Sequence, residues 1–369
     1  MPANSSFLNN VLDMLDRGPD HVWVEDQFAL LGWGIERRFD VGVGSDRYER
    51  AMEAVSEASP TPAFVSLTFD TDEEGSMVLI PETVATVDGT RVTVIKGNLP
   101  PTEATHGQMP HLVTSQDGPW DKPFVGALEA LSRDELEKVV LSRTVDLEFD
   151  HAIPTSLVIR NLVLTQPDAY VFGVEGLIGS SPELLLELKG RALKSTSLAG
   201  SVASGGSSGN GLSSNKMSRE HEFAADSVAE ALASHCVDLT RGPRLQARFA
   251  DVVHLATYFE GTVRDGTSTL DVIRDLHPTA AVAGTPTKAA VELIREIEVH
   301  ERHRYAGPVG WLDDSGSGTF AIAIRCGLID GSSATLYTGA GLVTGSDSRA
   351  EYEETEIKLR PMLRALQIS

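Results

Sequence analysis

The chain has 369 residues, 41% of them hydrophobic, enough to bury a large core as one big domain or two ordinary ones. A formal net charge of -22 argues against nucleic acid or an anionic membrane as a partner, because phosphate binding needs basic surface. Cys236 and Cys326 are too few for a disulfide framework, Met1 to Arg17 is polar, and no apolar run approaches ~18 residues, so a cytoplasmic protein is expected.

Residues 1–110 alternate short apolar runs (Val22 to Leu31, Ala63 to Phe69, Ser76 to Ile80, Val92 to Ile95) with Gly, Pro, Asp and Asn, the pattern of strands joined by turns. Periodicity predicts helices over Ser132 to Leu141, Met217 to Leu232 and Thr285 to Glu298, the last with Thr285 as N-cap and Pro286 in its first turn. Strands are expected at Ala169 to Val174, Leu184 to Leu188, Thr319 to Arg325 and Thr335 to Tyr337. The Gly/Ser stretch Ser201 to Asn215 reads as a mobile loop. No composition break marks a boundary. A single α+β domain over 1–369 is expected, strand-rich with helices packed outside, with a less legible part (1–125) and a motif-bearing part (126–369).

Near the C-terminus, LYTGAGLV runs through a short loop into an acidic helix that sets Glu351, Glu354 and Lys358 at i, i+3 and i+7 on one face. A solvated helix face carries such charges as well. Two carboxylates and an ammonium beyond a Gly-rich turn also suit a hard divalent cation with an anionic substrate lying on it. Upstream come, in order, Lys138-Val-Val-Leu-Ser-Arg143, Ser181-Pro-Glu183, Leu198-Ala-Gly-Ser201, Lys216-x-x-x-Glu220-His221 and Leu276-His-Pro-Thr279, followed by RYAGPVGW, AIRCG and EYEETEIKL.

In this order and spacing the motifs resemble the chorismate-binding enzymes, most closely the isochorismate synthases, over about Glu137 to Leu366. The resemblance implies a large fold of layered antiparallel sheets with helices outside. It also implies an isomerase that adds water at C2 of chorismate while the C4 hydroxyl leaves. By the same resemblance Lys138 is the general base that activates water, a role for which the amine must first be uncharged. Glu183 is the general acid, which needs apolar surroundings to hold its proton at neutral pH. His277 would hydrogen-bond the leaving hydroxyl or orient the acid.

The family's magnesium ligands correspond to Glu220 and Glu354, with Glu351 holding metal-bound water; magnesium commonly takes few protein carboxylates. Arg325 and Lys358 would clamp substrate carboxylates, Arg325 with a bidentate fork and Lys358 as a point charge. Tyr305 would add a hydroxyl donor. Ala199, Gly200 and Ser201 would also bind substrate, and Gly339, Ala340 and Gly341 would leave backbone N–H groups accessible to its anion. His221 and His254 read as structural, since neither has a partner at metal-ligand spacing.

Ala199 stands where aminodeoxychorismate-forming relatives carry a nucleophilic lysine. Anthranilate synthases typically have phenylalanine at the place of His277 and often an N-terminal LLES-like motif, and neither is present, so water is favoured over ammonia. Met217, Ser197, Ala280 and the stretch Gly316 to Phe320 depart from the usual pattern without removing a proposed acid, base, clamp or metal ligand. Salicylate synthase, which expels pyruvate after the same first step, is the nearest alternative, and an anthranilate synthase large subunit is a more distant one. A non-catalytic binder of aromatic acids or a calcium-binding protein is disfavoured by the intact residues and the missing DxDxDG-type loop. A monomer without an obligate glutaminase partner is expected, and isochorismate could feed menaquinone or siderophore routes.

Overall fold

The computed structural model describes residues 5–102, 107–203, 215–249 and 252–368, with no description of the side chains of 201–203, 215–217, 219 and 220. Among these residues the chain forms two antiparallel sheets, of eleven and ten strands. The first runs from the edge strand Gly284–Thr285 through Lys138–Phe149, Ser333–Leu342, Cys326–Asp330, Leu177–Ser181 and Tyr170–Val174 to the N-terminal strands His21–Glu25, Phe28–Trp33, Thr83–Asp88 and Arg91–Lys96. The second includes Val252–Val263, Ala192–Ala203, Leu184–Lys189, Gly318–Ile322, Pro308–Leu312, Ala63–Ser66 and Met77–Ile80.

N-terminal strands are woven into both sheets: His21–Glu25 pairs with Tyr170–Val174, and Ala63–Ser66 with Pro308–Leu312. A core drawn from both sheets holds Trp23, Phe64, Leu186, Phe259 and Phe320. A second apolar cluster packs Ser5–Leu15, Thr155–Thr165 and the C-terminal helix Ser348–Ala365 against the first sheet, through Phe7, Val158 and Met362. Where apolar side chains alternate with polar ones a strand buries one face; where they run on, as in Leu184-Leu185-Leu186, it is covered on both.

Several expectations need correction. Ser132 to Leu141 is not one helix: the helix Asp121–Ser132 ends there and a strand begins at Lys138, whose residues 138–145 are all buried. A one-sided helix cannot bury eight successive residues, whereas a strand covered on both faces does so. Thr285 lies in the edge strand, and the following helix, Thr287–Ile297, is preceded by Pro286 with no side-chain cap. Arg325 falls in the connection between Gly318–Ile322 and Cys326–Asp330 rather than at a strand end. The expected helix at Met217 to Leu232 lies within Asn215–His235, and the expected strand at Thr335 to Tyr337 extends to Ser333–Leu342. Residues 1–110 also contain the helices Ser5–Leu15 and Arg47–Ala58, which the turn-rich reading did not anticipate. Residues 204–214 of the Gly/Ser stretch lie outside the described residues.

Candidate active site

Twice the chain steps from one sheet to the other beside a single cavity. Pro182 and Glu183 link Leu177–Ser181 of the first sheet to Leu184–Lys189 of the second, and Ala323 to Arg325 make the return crossing. The two crossings are tied together: Ser180 N donates to Arg325 O (3.1 Å) and Ile322 N to Glu183 O (3.2 Å). Strand ends that leave a sheet free their side chains from the pleat, so Glu183 and Arg325 both reach a cavity of about 650 Å3, counted with its open mouth.

Lys138 and Val140, two residues apart on one strand, line the cavity, and neighbouring Tyr337, Gly339 and Gly341 repeat the same period. A Cβ on Gly339 would come 2.9 Å from Leu141 O and 3.1 Å from the Tyr305 hydroxyl, so the close approach of Tyr305 requires glycine there. Ala340 packs its methyl into the core and is not among the residues that line the cavity. From the second sheet Leu198, Ala199 and Gly200 all line the cavity. Three successive residues can do so because the strand bulges between Ala199 and Ser201, with Gly200 at φ +68°. The Ser201 side chain lies outside the described residues.

Glu183 is 3% exposed, and burial raises its carboxyl from 4.5 to about 7 despite the Leu198 N–H, Lys138, Arg325 and Lys358, which favour the charged form. Its Oε1 accepts from Leu198 N at 3.4 Å. Lys138, 1% exposed, faces the same space. Arg325 holds a left-handed φ of +53°, and its Nη2 lies 3.4 Å from His254 Nε2. His254 also lines the cavity, and its pKa falls well below the ordinary value through burial and then through Arg325 and Lys358, so the ring is neutral. The C-terminal helix supplies Glu354 and Lys358; Lys358 Nζ donates to Gly339 O (2.9 Å) and pairs with Glu354 Oε1 (2.6 Å). Tyr305 stacks on Tyr337, with centroids 5.2 Å apart, and burial keeps both phenols protonated.

His277 stands apart from the cavity wall. Burial lowers its pKa to about 3, its Nε2 donates to Ala306 O at 2.9 Å, and its edge meets Phe69. It does not line the cavity, although Ala281 and Val282 just beyond it do. Conversely, His254, read as structural, is part of the wall; its position follows from pairing opposite Ser201 in the adjacent strand. His221, bonded to Thr257 Oγ1 at 2.8 Å, keeps a structural place.

The donor set for magnesium can be tested on Glu354, on the cavity wall, and Glu351, one helical turn earlier and 5% exposed. The half-buried Glu354 carboxylate, paired with Lys358, offers the oxygen chemistry of a hard cation that keeps several waters of its own. Glu351 itself does not line the cavity. The Glu220 side chain lies outside the described residues, although its backbone belongs to the helix Asn215–His235. Among the described residues no group of three or more His, Cys, Asp or Glu is arranged to hold a metal.

Comparison with known proteins adds family evidence. Residues 76–367 match the chorismate binding enzyme family. Isochorismate synthase MenF of Bacillus subtilis is 38% identical over 260 residues, covering 67% of this chain and 55% of that protein. Isochorismate synthase DhbC of Bacillus subtilis is 36% identical over 260 residues, 65% of each. The matches thus span between about half and two thirds of these curated relatives. The crystal structure of DhbC from Bacillus anthracis superposes with a TM-score of 0.84 at 27% identity, covering 98% of this chain and 100% of that one.

Proposed function

The chain belongs to the chorismate-binding enzyme family, and from that premise we propose that it is a magnesium-dependent isochorismate synthase. The observation that carries this reading is one cavity wall bearing a carboxyl that keeps its proton up to about pH 7, a buried amine and two cations: Glu183, Lys138, Arg325 and Lys358. A ring acid with two carboxylates needs cations in an otherwise acidic protein, and Arg325 with Lys358 supplies them. By the family resemblance Lys138 takes a proton from water as the water oxygen bonds to C2, a role for which its amine must first give up its own proton. Glu183 gives its proton to the C4 hydroxyl, which leaves as water while two ring double bonds shift. Ala199 offers no nucleophile of its own and leaves the attack to water.

Glu220 and Glu354 would hold the magnesium ion, with Glu351 behind them, and the bound ion would offset the charge of a substrate carboxylate. Tyr305, a neutral phenol, is suited to donate to substrate oxygen rather than to take a proton.

Incubation with chorismate and magnesium, followed by chromatography, tests the reading. Isochorismate is expected. Salicylate with pyruvate would instead make it a salicylate synthase, ammonia-dependent anthranilate would remove both readings, and binding without turnover would leave a non-catalytic binder. Lys138→Ala should abolish conversion while the protein stays folded.

A further inference from the structure

Beside the cavity lies a second, smaller chamber of about 310 Å3, counted with its open end. Pro182, His254 and Arg325 line both spaces and so form the partition between them. The far side is made by Gln166 and Ala169, in the turn between the helix Thr155–Thr165 and the strand Tyr170–Val174, together with Ser180. Ala169 is half-buried, so this side approaches the surface.

Three of these residues are more than nine-tenths buried, with Gln166 at 7%, Ser180 at 2% and His254 at 7% exposure. Each carries a buried polar atom without a hydrogen-bond partner among the described residues: Gln166 Nε2, Ser180 Oγ and His254 Nδ1. A buried polar group left unpaired costs about 1–3 kcal/mol, so three around one chamber call for an occupant. Its chemistry follows from the donors. The Arg325 guanidinium can only donate, so His254 Nε2 accepts and the ring proton sits on Nδ1. Gln166 Nε2 also donates, while the Ser180 hydroxyl can donate or accept. The occupant must therefore offer lone pairs to Gln166 and His254, and it can either accept from or donate to the Ser180 hydroxyl. Water, which does both, meets these conditions.

We propose that this chamber binds ordered water and is the passage by which water enters and leaves the catalytic cavity behind bound substrate. The proposal rests on the isochorismate synthase reading, in which each turnover uses one water and releases another. A C2–O bond forms and the proton of the entering water passes to Lys138; the C4–O bond breaks and the hydroxyl leaves as water with the proton of Glu183. A ring acid seated in the main cavity obstructs its mouth. A side chamber that shares His254 and Arg325 with the cavity would let water exchange continue without substrate release.

A crystal structure of the full chain at a resolution that reveals solvent tests occupancy directly. Water within about 2.7–3.2 Å of Ser180 Oγ, Gln166 Nε2 and His254 Nδ1 is expected. A dry chamber, or a bound anion in place of water, overturns the proposal. Passage is tested by Ala169→Leu, which fills the outer side, and by Ser180→Ala, which removes one water ligand, both assayed in 18O-labelled water. Each should lower kcat, roughly tenfold for Ala169→Leu, with KM for chorismate within about twofold of wild type. Wild-type kcat in both folded variants overturns the passage. If Ala169→Leu does not fold, Ser180→Ala and the solvent structure decide. A wild type that makes no 18O-labelled isochorismate refutes the underlying reading, and the passage with it, whereas labelled product beside a dry chamber refutes the chamber alone.

Discussion

Replacing Glu183 by glutamine separates chemistry from stability in one substitution. The carboxyl is 3% exposed and is raised from 4.5 to about 7, a difference worth about 3 kcal/mol against its ionised form. In the unfolded chain it ionises near 4.5, so between there and about 7 the native state holds more protons than the unfolded state. Stability contributed by this group is therefore intact at low pH and is lost as pH rises through that window. Glutamine keeps the shape, and its amide oxygen can still accept from Leu198 N, but it never ionises. Relative to wild type, Glu183→Gln should gain about 2–3 kcal/mol between about pH 5 and about pH 8 in urea unfolding. Turnover of chorismate by the same variant should fall on the order of 10²–10⁴-fold. Parallel stability profiles of the two proteins would mean that the buried carboxyl titrates as an ordinary one, and the structural basis for an acid at this place would be gone.

Wild-type kcat/KM should decline above about pH 7 as the acid loses its proton, read from a pH–rate profile; a flat alkaline limb removes Glu183 as the group that protonates. Chelator should stop turnover and added magnesium restore it, whereas Glu354→Ala should not recover at the same magnesium concentration; a rate indifferent to chelator contradicts the metal assignment. Arg325→Lys should raise KM by roughly tenfold, because a point charge replaces a bidentate fork; unchanged KM would place the substrate carboxylate elsewhere. Arg302 and Glu298, whose side chains are both 2% exposed, bridge the edge of the Lys138 strand between its pairings with Gly284–Thr285 and Leu112–Asp117: Arg302 donates to Val140 O (2.7 Å) and Val282 O (2.8 Å), and Glu298 accepts from Ser142 N (2.7 Å). Arg302→Met should cost about 3–5 kcal/mol in urea unfolding by leaving a buried carboxylate uncompensated, with partial recovery in Arg302→Met/Glu298→Met.

The layered α+β architecture was legible along this chain, whereas the bounds of individual elements were less so. Lys138, Glu183, Ala199, Gly200, Tyr305, Arg325, Gly339, Gly341, Glu354 and Lys358 were singled out from short motifs, and all line one cavity. The helix Ser348–Ala365 was readable because its charges recur at helical spacing, and Leu184–Lys189 because its apolar run is short and bounded. Lys138 to Leu141 misled, since an apolar run covered on both sides has no period to distinguish strand from helix. His277 and Ala340 do not line that cavity, and His254, read as structural, does. For the two strand residues, Ala340 and His254, the facing depends on the partner strand and on bulges set by residues far away in the chain, whereas His277 follows the helix Thr269–Leu276 and its ring is held by Ala306 O.

The sequence by itself determined the residue types, the helix stripe carrying Glu354 and Lys358, and a charge balance that forces any dianion onto a few cations. Only the tertiary structure decided that Glu183 and Arg325 meet where the chain twice changes sheets, that Gly200 marks a bulge, and that His254 stands in the wall. Local spacing encodes period and chemistry, whereas convergence comes from pairings such as Ala199 with Leu255 and Gly339 with Ser142, between strands tens to hundreds of residues apart. Burial, which raises the Glu183 carboxyl, is a property of that convergence and of no single segment.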